Sequence, residues 1–236
     1  MAYTLTFGDV AENHVGMQQI GKLSDKGYSK EDLLVFKEKF EKLNLLCEIK
    51  EIKCQSSDVG YLLIVKNISN ANKLLEEQKK LDYDKKAYMY GRVVNKLARY
   101  NLCFSEFEQE PNYEEGMGRI YAFKDLPYLN NLRNLLFDIT GDLLQAEGNY
   151  YYNVNKCGIG YHGDTERRKV IGIRLGQKHP LCYAWYKNSE RCSEVTKIDL
   201  EHGDLYIMEQ KATGFDWKKK SIYTLRHAAG CGKYVN

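Results

Sequence analysis

Apolar positions recur at helical spacing in three stretches of the chain. Leu33, Leu34, Phe36, Phe40 and Leu43 follow Ser29 and Asp32, whose separation resembles a capping box, and together they predict a helix from about Lys30 to Asn44. Asn70 is placed to cap a second helix over Lys73 to Leu81. Pro127 opens a third pattern through Leu129, Leu132, Leu135, Leu136 and Ile139, stopped by Gly141. Between the first two helices, Tyr61 to Val65 is an apolar β-prone run that reads as a strand.

From Tyr150 the pattern changes. Short β-prone segments follow one another at Tyr150 to Val154, Val170 to Leu175, Leu181 to Tyr186, Val195 to Leu200, Leu205 to Met208 and Ile222 to Leu225, separated by glycines such as Gly158, Gly176, Gly203 and Gly214. Such spacing predicts a sandwich or barrel, and helices followed by strands make an α+β chain. No Pro/Gly/Ser-rich linker, repeat or low-complexity tract interrupts it. The expected organisation is a helical N-terminal extension over residues 1–60 and one strand-rich domain over residues 61–236.

Composition narrows the class. The 236 residues are 43% hydrophobic, enough for a core, yet the most apolar stretch, Val59 to Val65, is far too short to span a bilayer, so no membrane partner is expected. Met1 to Asp9 lack the basic and apolar segments of an export signal, and seven cysteines without a C-x-x-C pair read as reduced thiols. A cytoplasmic or nuclear monomer is the expectation. The net charge of +3 hides an asymmetry: residues 1–150 carry 20 basic and 23 acidic side chains, and residues 151–236 carry 15 and 9. A basic C-terminal third attracts anions, whether phosphates or a small dicarboxylate.

The sharpest local feature is Tyr161-His162-Gly163-Asp164. On an extended segment, side chains two apart leave the same face, so an imidazole and a carboxylate here can grip one ion. They supply two ligands of the triad of two histidines and one carboxylate that leaves open positions on Fe(II).

Order and context carry a resemblance. From about Gly91 to Arg226 the chain resembles the AlkB-type Fe(II)/2-oxoglutarate dioxygenases. Arg99-Tyr-Asn-Leu-Cys-Phe104 is similar to the segment before the family's core, and Leu126-Pro127 to the start of its supporting helix. Asn153 matches the Asn of its N-x-Y element, and Ile159-Gly160-Tyr161-His162-Gly163-Asp164 its I-G-x-H-x-D. Leu200 to Met208 with Asp216-Trp217 matches its L-x-H-G-x-L-x-x-M…W stretch, and Thr224-Leu225-Arg226 its T-x-R. The resemblance implies a double-stranded β-helix (a distorted jelly roll), Fe(II) and 2-oxoglutarate as cofactors, dioxygen as co-reactant, and oxidation or demethylation of a nucleic-acid base.

The chain departs from the pattern in three places. The N-x-Y element reads Asn153-Val-Asn155; the first cosubstrate arginine falls on Lys220; and the distal iron-binding histidine falls near Lys219. A lysine with a reference pKa of ~10.4 must lose a proton to ligate, at a cost of about 4 to 5 kcal/mol at pH 7. His227 is the better third ligand, since neutral imidazole is abundant at pH 7 and suits iron. Ala228 to Cys231 then reads as a tight hairpin turn that sets Lys233 opposite His227. Arg226 and Lys233 are rival anchors for the far carboxylate of 2-oxoglutarate, and both Arg226 and His227 line the pocket only across a bulge.

The remaining candidates read as structural. His202 sits in a Gly-Asp turn and suits backbone hydrogen bonding; His179 precedes Pro180 in an exposed turn. Asn13-His14 with Met17-Gln18-Gln19 is a polar cluster suited to a loop or a substrate mouth. Arg167-Arg168-Lys169 and Lys218-Lys219-Lys220 are solvated runs that can track a phosphate backbone, and Trp185 and Trp217 are core or base-stacking residues. Two other functions stay open: a hydroxylase of a protein side chain or small metabolite, and a catalytically silent binding module on the same fold.

Overall fold

The computed structural model describes residues 1–236, with 17 strands and five α-helices. In chain order they are β1 (Ala2–Gly8), β2 (Val10–Glu12), β3 (Gln19–Gly21), α1 (Lys30–Lys42), β4 (Cys47–Lys53), β5 (Val59–Val65), α2 (Ala71–Gln78), β6 (Lys86–Met89), β7 (Arg92–Asn95), β8 (Tyr100–Ser105) and β9 (Ile120–Ala122). There follow α3 (Pro127–Thr140), β10 (Gln145–Tyr151), β11 (Gly158–His162), β12 (Val170–Gly176), β13 (Leu181–Lys187), β14 (Glu190–Arg191), β15 (Thr196–Ile198), β16 (Leu205–Met208), α4 (Gln210–Thr213), β17 (Thr224–Gly230) and α5 (Gly232–Val235). The fold is mixed α+β, mostly strands.

Eight strands form one sheet in the order β4-β5-β16-β12-β1-β10-β8-β9, antiparallel throughout except for β8 against β9. Its two faces separate by period-2 alternation. Tyr3, Leu5 and Phe7 of β1, with Ile171 and Ile173 of β12 and Leu63 of β5, face a layer made by α1, α2 and α3. Those helices present Leu33, Phe36 and Phe40, Leu74, and Leu129, Leu132 and Leu136 to them. The opposite face meets a smaller sheet, β11-β17-β13-β14, with β15 also paired to β13. Where β5, β16 and β12 face β13 and β17, the interface is apolar, with Leu62, Val170, Tyr183, Trp185, Met208 and Leu225 buried together. Where β1 and β10 lie across from β11 and β17, the same inward positions are polar, and a cavity opens.

Most helices match their sequence signals. Ser29 accepts from the Asp32 amide and Asp32 accepts from the Ser29 amide, closing the capping box on α1. The α3 helix runs from Pro127 to Thr140 and ends at Gly141. Asn70 precedes α2 but makes no side-chain cap; its backbone is left-handed, where a capping residue is extended.

Three expectations give way. Residues 1–60 are not a helical extension: β1 pairs with both β10 and β12 in the middle of the large sheet, and β4 pairs with β5. The alternation of Tyr3, Leu5 and Phe7 with Thr4 and Thr6 explains this, being that of a strand with one apolar face and one polar face. The segment read as a strand over Tyr150 to Val154 begins and ends earlier, since the chain turns at Asn153, whose carbonyl accepts from Lys156 and Cys157. Ala228 to Gly230 do not turn but continue β17, and Gly232 to Val235 form α5.

Candidate metal centre

The site is built on the pairing of β11 with β17. Their register aligns Ile159 with Ala229 and His162 with His227, so β11 spends one residue more than its partner between these two pairs. That irregularity matters because regular alternation would send Ile159 and His162, three apart, to opposite faces. With it, Ile159, His162, His227 and Ala229 all line the cavity between the sheets. Asp164 follows on a loop whose amide donates to the Thr213 carbonyl at the end of α4.

His162, Asp164 and His227 converge. The Nε2 atoms of His162 and His227 lie 3.6 and 3.7 Å from Asp164 Oδ1, and the imidazole centroids are 4.5 Å apart. His162 Nδ1 donates to the Gly160 carbonyl at 2.8 Å; a carbonyl only accepts, so Nδ1 carries the hydrogen and Nε2 presents its lone pair to Asp164 and His227. Ligands ~2.1 Å from a metal and at right angles stand roughly 3.0 Å apart, so sub-ångström movements of three side chains would close the set around one ion. Burial, then the neighbouring His227, pushes His162 down to about 4, so it is neutral at pH 7. Burial raises Asp164, but the hydrogen bond and charge of His227, with Arg167 and His162, outweigh it and hold the carboxyl below its ordinary range. An unprotonated imidazole and an ionised carboxylate are the forms a metal requires.

The cavity in front of the triad holds about 380 Å³. Its far wall is the large sheet, contributing Thr4, Glu147, Asn149, Tyr151 and Arg174. Arg167, also buried there, pairs with Glu147 at 2.6 Å and Glu166 at 3.1 Å, and Arg99 donates to Asn149 Oδ1 at 2.6 Å. Trp217, Lys218, His14 and Val15 stand at its margin.

The structure brings His162, Asp164 and His227 together and leaves the other expected site residues outside. Asn153 lies in the turn after β10, where its side chain accepts from the Asn155 amide. Arg226 is one residue from His227 on an unbulged strand, so it faces away, its guanidinium 4.1 Å from the Tyr186 ring centroid and 5.1 Å from that of Trp217. Lys233 is exposed on α5 instead of opposite His227, and Lys219 and Lys220 are exposed beyond Trp217. Lys219 therefore cannot complete the triad.

The other histidines divide. His202 accepts from the Gly176 amide through Nδ1, as its turn position implied. His179 is buried against Tyr151, with ring centroids 4.2 Å apart, and is not in an exposed turn. Asn13 is buried and donates to Asp84. The run Arg167-Arg168-Lys169 is not a solvated face: Arg167 is consumed internally, Arg168 stacks on Phe215 and Lys169 pairs with Asp142. The wall residues missed in the sequence had a signal in Arg174, a lone charge inside the apolar run Val170 to Leu175.

No helix of the protein is long and apolar enough to cross a membrane, and all seven cysteines are unpaired. No family model matches the chain. A protein of Acanthamoeba polyphaga mimivirus, "Uncharacterized protein R156", is 50% identical over 244 residues, which cover 98% of this chain and 96% of the relative. With identity of that extent over nearly the whole length of both proteins, the chain belongs to the same family as this mimivirus protein.

Proposed function

We propose that the protein is an Fe(II)- and 2-oxoglutarate-dependent oxygenase, AlkB-like in its double-stranded β-helix. The observation that carries this reading is the convergence of two imidazoles and one carboxylate, from β11, the following loop and β17, at the inner end of a cavity. Such a donor set holds Fe(II) by one face and leaves the rest of its coordination sphere free. When bound, the metal and 2-oxoglutarate supply oxidising power from dioxygen, one oxygen atom passing into succinate as carbon dioxide leaves and the other into the substrate.

The residues of this chain do the holding and the shielding. Gly160 fixes the His162 tautomer through its carbonyl. Tyr183, buried and paired in register with His227, packs its ring 5.9 Å from that imidazole and limits its rotation. Ile159, Leu181 and Met208 give the cavity an apolar flank that keeps bulk water from the triad. Anaerobic titration with Fe(II) tests the reading. One metal per chain is expected, with His227→Ala and Asp164→Ala weakening it by more than the roughly 10–100-fold typical of outer-sphere partners, and Lys219→Ala leaving it unchanged. Retention of full affinity in His227→Ala would sink the assignment, as would failure of the metal-loaded parent to form succinate from 2-oxoglutarate with any candidate substrate.

Nucleic acid is the substrate class we favour. Trp217 and Lys218 line the cavity margin, and Lys218, Lys219 and Lys220 are exposed, so a stacking surface and a cationic run adjoin the opening. Binding of a single-stranded oligonucleotide should weaken steeply with salt, and replacing the three lysines by alanine should reduce the slope of log affinity against log salt by about 2. A salt-independent interaction, or none, would redirect the search to protein side chains and small metabolites.

A further inference from the structure

β1 lies between β10 and β12, and its register sets Asn149, Thr4 and Arg174 side by side in one row across the three strands. All three line the cavity that ends at the metal triad. Arg174 is 1% exposed, has no carboxylate within ion-pair distance, and donates from its guanidinium only to Thr4 Oγ1, leaving Nε without a partner. The other deeply buried arginines are compensated: Arg133 pairs with Glu106, and Arg167 with Glu147 and Glu166. Arg226 rests between aromatic rings.

A guanidinium kept from water without a counter-ion is strongly unfavourable, and its neighbours in the row are a neutral amide and a neutral hydroxyl. The next inward position of β12 is Gly172, where a Cβ would come within 2.1 Å of the Tyr206 ring and 2.3 Å of its hydroxyl. Glycine there lets the phenol of Tyr206 lie over the strand, beside Arg174, and the phenol also lines the cavity. The result is a pocket with a permanent positive charge, two hydroxyls and no acid of its own in the row. Its complement is a carboxylate brought in by a ligand.

We infer that Arg174, with Thr4 and Tyr206, binds the far carboxylate of a 2-oxo dicarboxylic acid whose oxo-acid end reaches the triad, in the role that neither Arg226 nor Lys233 is placed to fill. The inference rests on the metal and 2-oxoglutarate reading of His162, Asp164 and His227. It assigns the anchor to the strand that follows the H-x-D loop and pairs with β1.

Equilibrium binding to the Mn(II)-loaded protein, which reports affinity without turnover, separates the two claims. The parent should bind 2-oxoglutarate roughly 10–100-fold more tightly than 2-oxobutyrate, which lacks the far carboxylate. Arg174→Gln should bring that ratio close to 1 while leaving Mn(II) and 2-oxobutyrate affinity unchanged, and Arg174→Lys should restore part of it. Arg226→Gln and Lys233→Gln should keep the parent ratio. If Arg174→Gln does not fold, Thr4→Val and Tyr206→Phe carry the test, each lowering the ratio. An Arg174→Gln protein that retains the parent ratio overturns the anchor and spares the metal site. A parent that binds Mn(II) but neither acid overturns the anchor and the 2-oxo acid reading together, and loss of Mn(II) binding itself would strike the triad.

Discussion

Gly163, between His162 and Asp164 of the H-x-D segment, is held by contact and not by turn geometry. A Cβ there would lie 2.1 Å from the Gly214 carbonyl oxygen and 2.8 Å from Trp217 Cβ, and backbone cannot swing aside as a side-chain tip can. Gly163→Ala should therefore push the Asp164 loop off the end of α4, costing about 1–3 kcal/mol in urea unfolding and weakening metal binding together. An alanine variant with parent stability and affinity would show that the loop has room to move. At this scale the sequence singled out His162, Asp164 and His227 as candidate ligands because imidazole and carboxylate are donors that a metal can use, and the fold brings the three side chains together. It misassigned Asn153, Arg226 and Lys233 because their roles depend on which way a strand faces and where it ends. The irregularity falls in β11 and not in β17, which turns Arg226 away, and β17 runs three residues beyond His227, which carries Lys233 past it. Arg174 was legible in principle as a charge inside a buried strand, but its meaning needed the neighbouring strand that aligns Thr4 with it.

Among the elements, those with strong local signals formed where expected. α1 carries a capping box and an apolar face of Leu33, Phe36 and Phe40, and both survive in the folded protein. Ser29→Ala should cost about 1 kcal/mol, read as a lower urea midpoint without change of slope, since it leaves the Asp32 amide without its acceptor. No loss of stability would mean that packing on the sheet alone holds the first turn. Apart from the four-residue helices α4 and α5, the elements that were missed are strands whose identity comes from partners. β1 alternates cleanly, but seven residues near an end are a weak signal until β10 and β12 flank them. β2, β3 and β9 have only three residues each, too few for a period to register. Asn70 had the right chemistry for a cap and the wrong backbone to use it.

Across the whole molecule, acid should act through His179. Burial first, then the charges of Arg174 and the amino terminus, push this imidazole down to about 3. The unfolded chain takes up the proton near pH 6.5 and the folded one only near pH 3. Stability from this group is thus complete above pH 6.5 and declines as pH falls toward 3, with a limiting slope of about 1.4 kcal/mol per pH unit. His179→Phe keeps an aromatic ring against Tyr151 and removes the titration, so its urea midpoint should fall less than the parent's between pH 7 and pH 5. Equal falls would assign the acid sensitivity elsewhere.

The central position of β1 also sets an order of events during synthesis. Its partners on either side, at residues 145–151 and 170–176, leave the ribosome long after it does. At about 5–20 residues per second that interval is on the order of 10 s or more, while Tyr3, Leu5 and Phe7 wait with no sheet to join. The middle of the large sheet closes only when most of the chain exists, so a nascent protein of this family must keep its first strand from foreign edges until its own partners arrive.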